Sequence, residues 1–170
     1  MCVHIPVSSK SSFVYLVSTN FYCNGPFIAE TDFCEKLWNN VNFEIPNWNG
    51  IFGGFIEHFG KQIYGGIFDP GSLLSDENGF RHDVIEALNE LKVPVIRWPG
   101  GCFVDGYHWI NGVGNNRQPT DDIRWGVIEP NTFGTHEFIE LCRLLDSEPY
   151  ICHNGLADVQ EMRDWVKYSN

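Results

Sequence analysis

Val93-Pro94-Val95-Ile96-Arg97-Trp98-Pro99-Gly100-Gly101 is the stretch that decides the fold. A short β-branched run between two prolines reads as a buried strand, and the Pro-Gly-Gly that follows ends it in a sharp turn. Upstream, Phe80, Val84, Ala87, Leu88 and Leu91 recur at intervals of three and four, the period of an amphipathic helix; Ser75 or Asp76 can cap its start and Pro94 blocks its continuation. Before it, residues 51–58 read as a buried strand, and residues 63–68 as a second short strand or an irregular loop. Downstream, residues 102–133 form a long loop broken by Gly106, Gly112, Gly114 and Pro119. A helix follows over 135–145, with Phe138, Leu141, Cys142 and Leu145 on one face and Thr135 as its N-cap; then come a strand over 149–153 and a last helix. In that helix Asp158 and Glu161 have capping-box spacing, and Val159, Met162 and Val166 form the apolar stripe.

Strand, helix, strand, helix, strand, helix calls for a parallel α/β sheet with right-handed crossovers. A doubly wound sheet would be complete in 170 residues, whereas a (β/α)8 barrel needs about 250, so length alone favours the former. In both, functional groups gather at the carboxyl ends of strands. Glu57 and His58, Arg97 and Trp98 with the Pro-Gly-Gly turn, and His153 with Asn154 occupy those places. Arg97 is the sharpest of them, because a guanidinium ending a buried strand must find anionic or carbonyl partners. Gly112-x-Gly114 lacks the third glycine of a dinucleotide fingerprint and follows no strand, and no Gly-Lys-Ser/Thr occurs, so a nucleotide-binding reading loses its support. The long loop instead carries Tyr107, His108, Trp109, Asn111, Asp121, Asp122 and Trp125. Flat aromatic faces beside fixed hydroxyl-binding groups suit a neutral carbohydrate; the alternative is that Trp98 and Trp109 simply fill a core.

Eleven Lys and Arg against 22 Asp and Glu give a net charge of −11, which repels phosphate backbones and anionic lipid, so nucleic acid is excluded as a partner. The longest apolar run near the N-terminus, residues 13–17, is far short of the roughly 20 residues of a spanning helix or the roughly 7 to 15 of a signal-peptide core. We therefore expect no membrane association and a cytoplasmic location. The six cysteines show no Cys-x-x-Cys pair and read as scattered reduced thiols; no ligand spacing indicates a metal, and no cofactor is implied. Residues 1–48, with clustered Ser and interleaved Asn, Phe and Trp, show no sustained period and read as an irregular extension or a remnant of a β layer, ahead of the unit at 49–170.

Phe55-Ile56-Glu57-His58, Ile63-Tyr64-Gly65-Gly66-Ile67-Phe68-Asp69-Pro70-Gly71-Ser72, Val95-Ile96-Arg97-Trp98-Pro99-Gly100-Gly101 and Phe103-Val104-x-Gly106-Tyr107-His108-Trp109 closely resemble the N-terminal part of the barrel in α-L-arabinofuranosidases of glycoside hydrolase family 51. Trp125-Gly126-x-x-Glu129-x-Asn131-x-Phe133-Gly134-Thr135 and Glu148-Pro149-Tyr150-Ile151-Cys152 continue the resemblance in the family's order. It overrides the length argument and implies an incomplete (β/α)8 TIM barrel, the first three βα units only, from an enzyme that releases terminal arabinofuranose from arabinan or arabinoxylan oligosaccharides. It further implies that Glu57 binds arabinose hydroxyls, that Arg97 holds the sugar and orients the catalytic carboxylates, and that Trp125 lines the cleft. Intact members of the family are expected to be homo-oligomeric. Where the family has Asn after the Gly-Gly turn this chain has Cys102, a poor donor and acceptor. Retaining hydrolysis needs two carboxylates, which the family takes from an Asn-Glu after the fourth barrel strand and a Glu after the seventh. Neither is matched here, since Asn89-Glu90 lies inside the first helix, so no catalytic residue is assigned in this chain. The competing reading is a non-catalytic, degenerate carbohydrate-binding fragment. Three units of eight would also leave the third strand with an unpaired edge.

Overall fold

The computed structural model describes residues 53–170 and, as backbone, Tyr15–Ser18; the remainder of the expected irregular extension lies outside the described residues. Its main sheet has four parallel strands, β1 (Tyr15–Ser18), β2 (Gly54–Phe55), β3 (Val95–Trp98) and β6 (Glu148–His153), in the order β1-β6-β3-β2. Between β3 and β6 a separate antiparallel hairpin joins β4 (Thr120–Asp122) to β5 (Val127–Glu129). The described residues also form three α-helices, α1 (His82–Leu91), α2 (Thr135–Leu144) and α3 (Val159–Ser169).

The three successive strand–helix units stand as the sequence pattern requires, and β3 lies at their centre, pairing Ile96 with both Gly54 and Pro149. Lys92, in the left-handed region at φ 51°, closes α1 by donating its N–H to the carbonyls of Leu88 and Asn89. Pro94 then starts the chain toward β3, and its carbonyl accepts from Glu148 N at 2.9 Å, setting the entry of β6 beside it. The core is aromatic. Trp98 is fully buried, stacked on Phe138 of α2 with ring centroids 4.9 Å apart and edge-on to Trp165 of α3 at 6.0 Å.

Several local expectations are corrected. Of the strand expected over 51–58, residues 51 and 52 lie outside the described residues, and of the other six two, Gly54–Phe55, form strand; Ile56 N still reaches Arg97 O, but Glu57 and His58 leave the ladder to turn inward. Residues 63–68 take the irregular alternative, a turn held by isolated bridges between Tyr64 and Phe68 and between Phe68 and Phe80. Asp76 does not cap α1. Its Oδ1 closes a turn by accepting from Asn78 N and Phe80 N, so Phe80 sends its ring into the core from that turn, and Arg81 precedes the first helical residue. Leu91 is 73% exposed and leaves the apolar face to Val84, Ile85 and Leu88.

Thr135 is the first residue inside α2, not its cap: Glu137 reaches back to accept the Gly134 N–H, and the Thr135 hydroxyl accepts from Trp165 Nε1. The stripe of α3 is carried by Trp165, flanked by Met162 and Val166, while Val159 is 76% exposed. The loop 102–133 contains two 3₁₀ turns, Phe103–Gly106 and Trp109–Gly112, and the β4–β5 hairpin. Finally, β6 is not an edge. Tyr15–Ser18 pairs along it from Tyr150 to His153, so among the described residues the terminal strands of the sheet are β1 and β2.

Candidate active site

The site is assembled at the carboxyl ends of β2, β3 and β6. Leaving the ladder after Ile56 turns the Glu57 side chain inward, where Oε1 accepts from Gly101 N at 3.1 Å and Phe103 N at 3.0 Å. Its own N–H donates to Gln62 Oε1 at 2.9 Å, so the residue is fixed at both ends. The Pro-Gly-Gly turn is shaped around it. Gly100 has φ 138°, and a Cβ there would run into the Glu57 side chain. The Trp98–Pro99 bond in this turn is cis.

Arg97 lies beside that turn. Nη2 donates to Gly100 O at 3.1 Å, Nε donates to Cys152 Sγ at 3.0 Å, and the guanidinium stands over the Phe55 ring at 4.6 Å. A carbonyl partner was expected; the thiol was not. Burial pushes the Cys152 thiol up, against the pull of Arg97, so it accepts as a thiol rather than a thiolate. Cys102 is exposed and sits between the two residues whose amides Glu57 holds. Glu57, Arg97 and Cys102 thus gather around one turn.

Trp125 stands apart, on the turn between β4 and β5. It is 40% exposed and packs on Phe59, itself 54% exposed, with ring centroids 4.7 Å apart. Trp98 and Trp109 are core residues, the latter donating Nε1–H to Glu161 O. His153 and Asn154 serve the fold: Asn154 Oδ1 accepts from Leu156 N and Ala157 N while Nδ2 donates to Tyr107 O, pinning the loop to the end of β6.

Beneath these groups is a buried polar network whose centre the sequence reading passed over. Glu129, at the end of β5, accepts from His58 Nδ1 at 3.1 Å through Oε2, and from Asn131 N at 2.9 Å and the Tyr64 hydroxyl through Oε1. Trp98 Nε1 points at His58 Nε2 at 3.0 Å, and an indole N–H can only donate. His58 therefore carries its proton on Nδ1 and donates it to Glu129. Burial by itself would raise the Glu129 carboxyl, but the hydrogen bonds from His58, Tyr64 and Asn131 hold it below the usual range. Burial and the adjacent carboxylate push the Tyr64 phenol up. The sequence signal for Glu129 is a carboxylate at the end of an otherwise apolar short strand.

Residues 87–166 match the family described as Alpha-L-arabinofuranosidase 1 domain. Alpha-L-arabinofuranosidase C of Emericella nidulans is 55% identical over 123 residues, covering 71% of this chain and 24% of that protein. The solved GH51 alpha-L-arabinofuranosidase from Thermotoga petrophila RKU-1 superposes with TM-score 0.69 at 50% identity, over 71% of this chain and 26% of that one. The chain matches a segment of family 51 α-L-arabinofuranosidases. It spans about a quarter of the length of the family members it matches. An alpha-L-arabinofuranosidase from Thermotoga maritima solved as an arabinose complex gives TM-score 0.70 at 50% identity. The intracellular exo-alpha-L-arabinofuranosidase of Bacteroides ovatus is 49% identical over 69% of this chain. Among the described residues, no helix is long and apolar enough to cross a membrane.

Proposed function

We propose that this segment grips the arabinofuranosyl ring in an exo-acting, retaining α-L-arabinofuranosidase that removes terminal non-reducing residues from arabinan and arabinoxylan oligosaccharides. The observation that carries the reading is Glu57 clamped by two backbone amides beside Arg97 at the strand ends. With Oε1 committed to Gly101 and Phe103, Oε2 is left to accept from sugar hydroxyls, and Arg97 supplies donors to a ring oxygen or to a carboxylate brought close to it. Trp125 offers the sugar a flat apolar face. Cys102, where the family has Asn, is a weak contact.

In this reading the chain's three strand–helix units are the start of a (β/α)8 barrel. The acid/base and the nucleophile come from later strands, and the whole enzyme works in the cytoplasm on L-arabinose-containing oligosaccharides, as an assembly of several copies.

The purified chain is expected to bind an arabino-oligosaccharide and to leave an aryl α-L-arabinofuranoside unhydrolysed, because catalytic carboxylates act as a unit and the binding groups alone give little turnover. Glu57→Ala should abolish binding, and Cys102→Asn should tighten it by up to about tenfold, the worth of one neutral hydrogen bond. Binding unaffected by Glu57→Ala, or turnover that Glu57→Ala removes, would overturn this assignment.

A further inference from the structure

The aromatic pair Phe59 and Trp125 is built from two segments that are distant in sequence, and each is fastened close to the same carboxylate. Phe59 directly follows His58, whose Nδ1 donates to Glu129 Oε2. Trp125 sits on the turn that β5 carries, and β5 ends at Glu129. The far side of that turn is tied down independently: Asp122 Oδ1 accepts from Arg124 N at 2.8 Å, and Arg124 Nη2 donates to Asp105 at 3.2 Å. Among the described residues, the side-chain hydrogen bonds that join the hairpin to the segment bearing Phe59 run through Glu129, at the buried end of β5. We propose that Glu129 is a positioning residue for carbohydrate binding: by holding His58, Tyr64 and Asn131 N on one carboxylate, it seats Trp125 on Phe59 as a single aromatic platform.

The chemistry favours a carboxylate here over any neutral side chain. Three donors from three places in the chain converge on two oxygens, and a carboxylate accepts at all of those positions while donating at none. The proton on His58 Nδ1 is fixed because Trp98 occupies Nε2. A Gln amide at 129 would therefore have to aim its N–H₂ at a donor, whichever way it were turned: at His58 on one side, or at Tyr64 and Asn131 N on the other. The volume is kept and the convergence is lost.

The carbohydrate part of the proposal rests on the arabinofuranoside reading; the platform itself does not, and the experiment separates them. The chain is labelled with 5-fluorotryptophan, and its Trp125, Trp98 and Trp109 fluorine resonances are assigned by Trp→Phe variants. In Glu129→Gln the Trp125 and Trp98 resonances should shift while Trp109, on the α3 side, stays in place. Affinity for an arabino-oligosaccharide should fall roughly tenfold, the scale of one lost stacking contact. In a Trp125→Ala background the same substitution should change affinity no further. Tyr64→Phe removes one donor and no ring volume, and should move the Trp125 resonance part of the way even if Glu129→Gln fails to fold. An unmoved Trp125 resonance in the folded variants, or effects of Glu129→Gln and Trp125→Ala that add in full, would overturn the proposal. Absence of oligosaccharide binding by the unsubstituted chain would remove the sugar reading, and the resonances would still decide the positioning.

Discussion

At the scale of single residues, the turn after β3 is a case of backbone shaped to a side chain. Gly100 adopts φ 138°, a region in which other residues are strained, and the space its missing Cβ leaves is filled by Glu57. Gly100→Ala should therefore cost stability twice, through φ and through the collision. We expect a loss of about 2 to 4 kcal/mol in urea unfolding, with the Gly101 and Phe103 amides released from Glu57 and exchanging faster. A loss under about 0.5 kcal/mol would mean that the turn adapts freely.

Glu129 makes a second residue-scale prediction, on pH. Its folded carboxyl titrates below the ordinary value of 4.5, so the stabilisation it gives is fully present above that value and is lost as pH falls through the lower, folded one. Glu129→Gln should flatten the acid limb of the stability curve below pH 4.5 while lowering stability at neutral pH. A parallel acid limb in the variant would assign acid unfolding to other carboxylates.

Among the elements, α3 has a side-chain cap at its start and a large buried ring near its end. Asp158 Oδ1 accepts from Glu161 N at 2.7 Å, and Trp165 is the residue of this helix that is buried. Asp158→Ala should destabilise by about 1 kcal/mol, read as a lower melting midpoint, and should fray the first turn ahead of the rest in hydrogen exchange. The Asp158 cap was legible in the sequence because spacing alone specifies it. Its reciprocal half was not: the Glu161 carboxylate is taken by His108 from the long loop, a partner 53 positions away.

The same division runs through the other elements. β3, α2 and β6 were legible from β-branched runs and from the three-and-four spacing of Phe138, Leu141 and Cys142. The starts of α1 and α2 were misplaced where a neighbouring side chain took a backbone amide that the expected cap would have left free, as Asp76 does at Phe80 and Glu137 at Gly134. The candidate site divides likewise. Glu57 and Arg97 could be picked out by strand-end position and by resemblance. The His58–Glu129 bond and the tilted packing of Phe59 against Trp125 join residues more than sixty positions apart, and no local pattern encodes them.

For the molecule as a whole, the question is which side of the sheet stays open. Counting strands suggests the far edge of the third unit, yet Tyr15–Ser18 pairs with β6 there and leaves β2 as the other edge. β2 is two residues long, and beside it an apolar groove of about 270 Å³ runs between the sheet and α1, lined by Phe55, Ile56, Ile67, Val84, Leu88 and Val93. A short terminal strand next to an apolar groove is a place where another strand or a flat aromatic molecule lodges. An anilinonaphthalene dye should therefore brighten on the native chain without denaturant, and with the saturation of one class of site rather than the diffuse uptake of a molten state. Leu88→Lys puts a charge on the α1 wall of the groove at a half-buried position, and should remove most of that emission while far-UV circular dichroism stays unchanged. Undiminished emission from the folded Leu88→Lys chain would place the dye elsewhere. The next candidate would then be the hairpin surface, where Ile123, Val127 and Ile128 are exposed. Ile128→Lys distinguishes the two, because among the described residues β5 pairs with β4 alone, and a charge on its exposed face leaves the main sheet untouched.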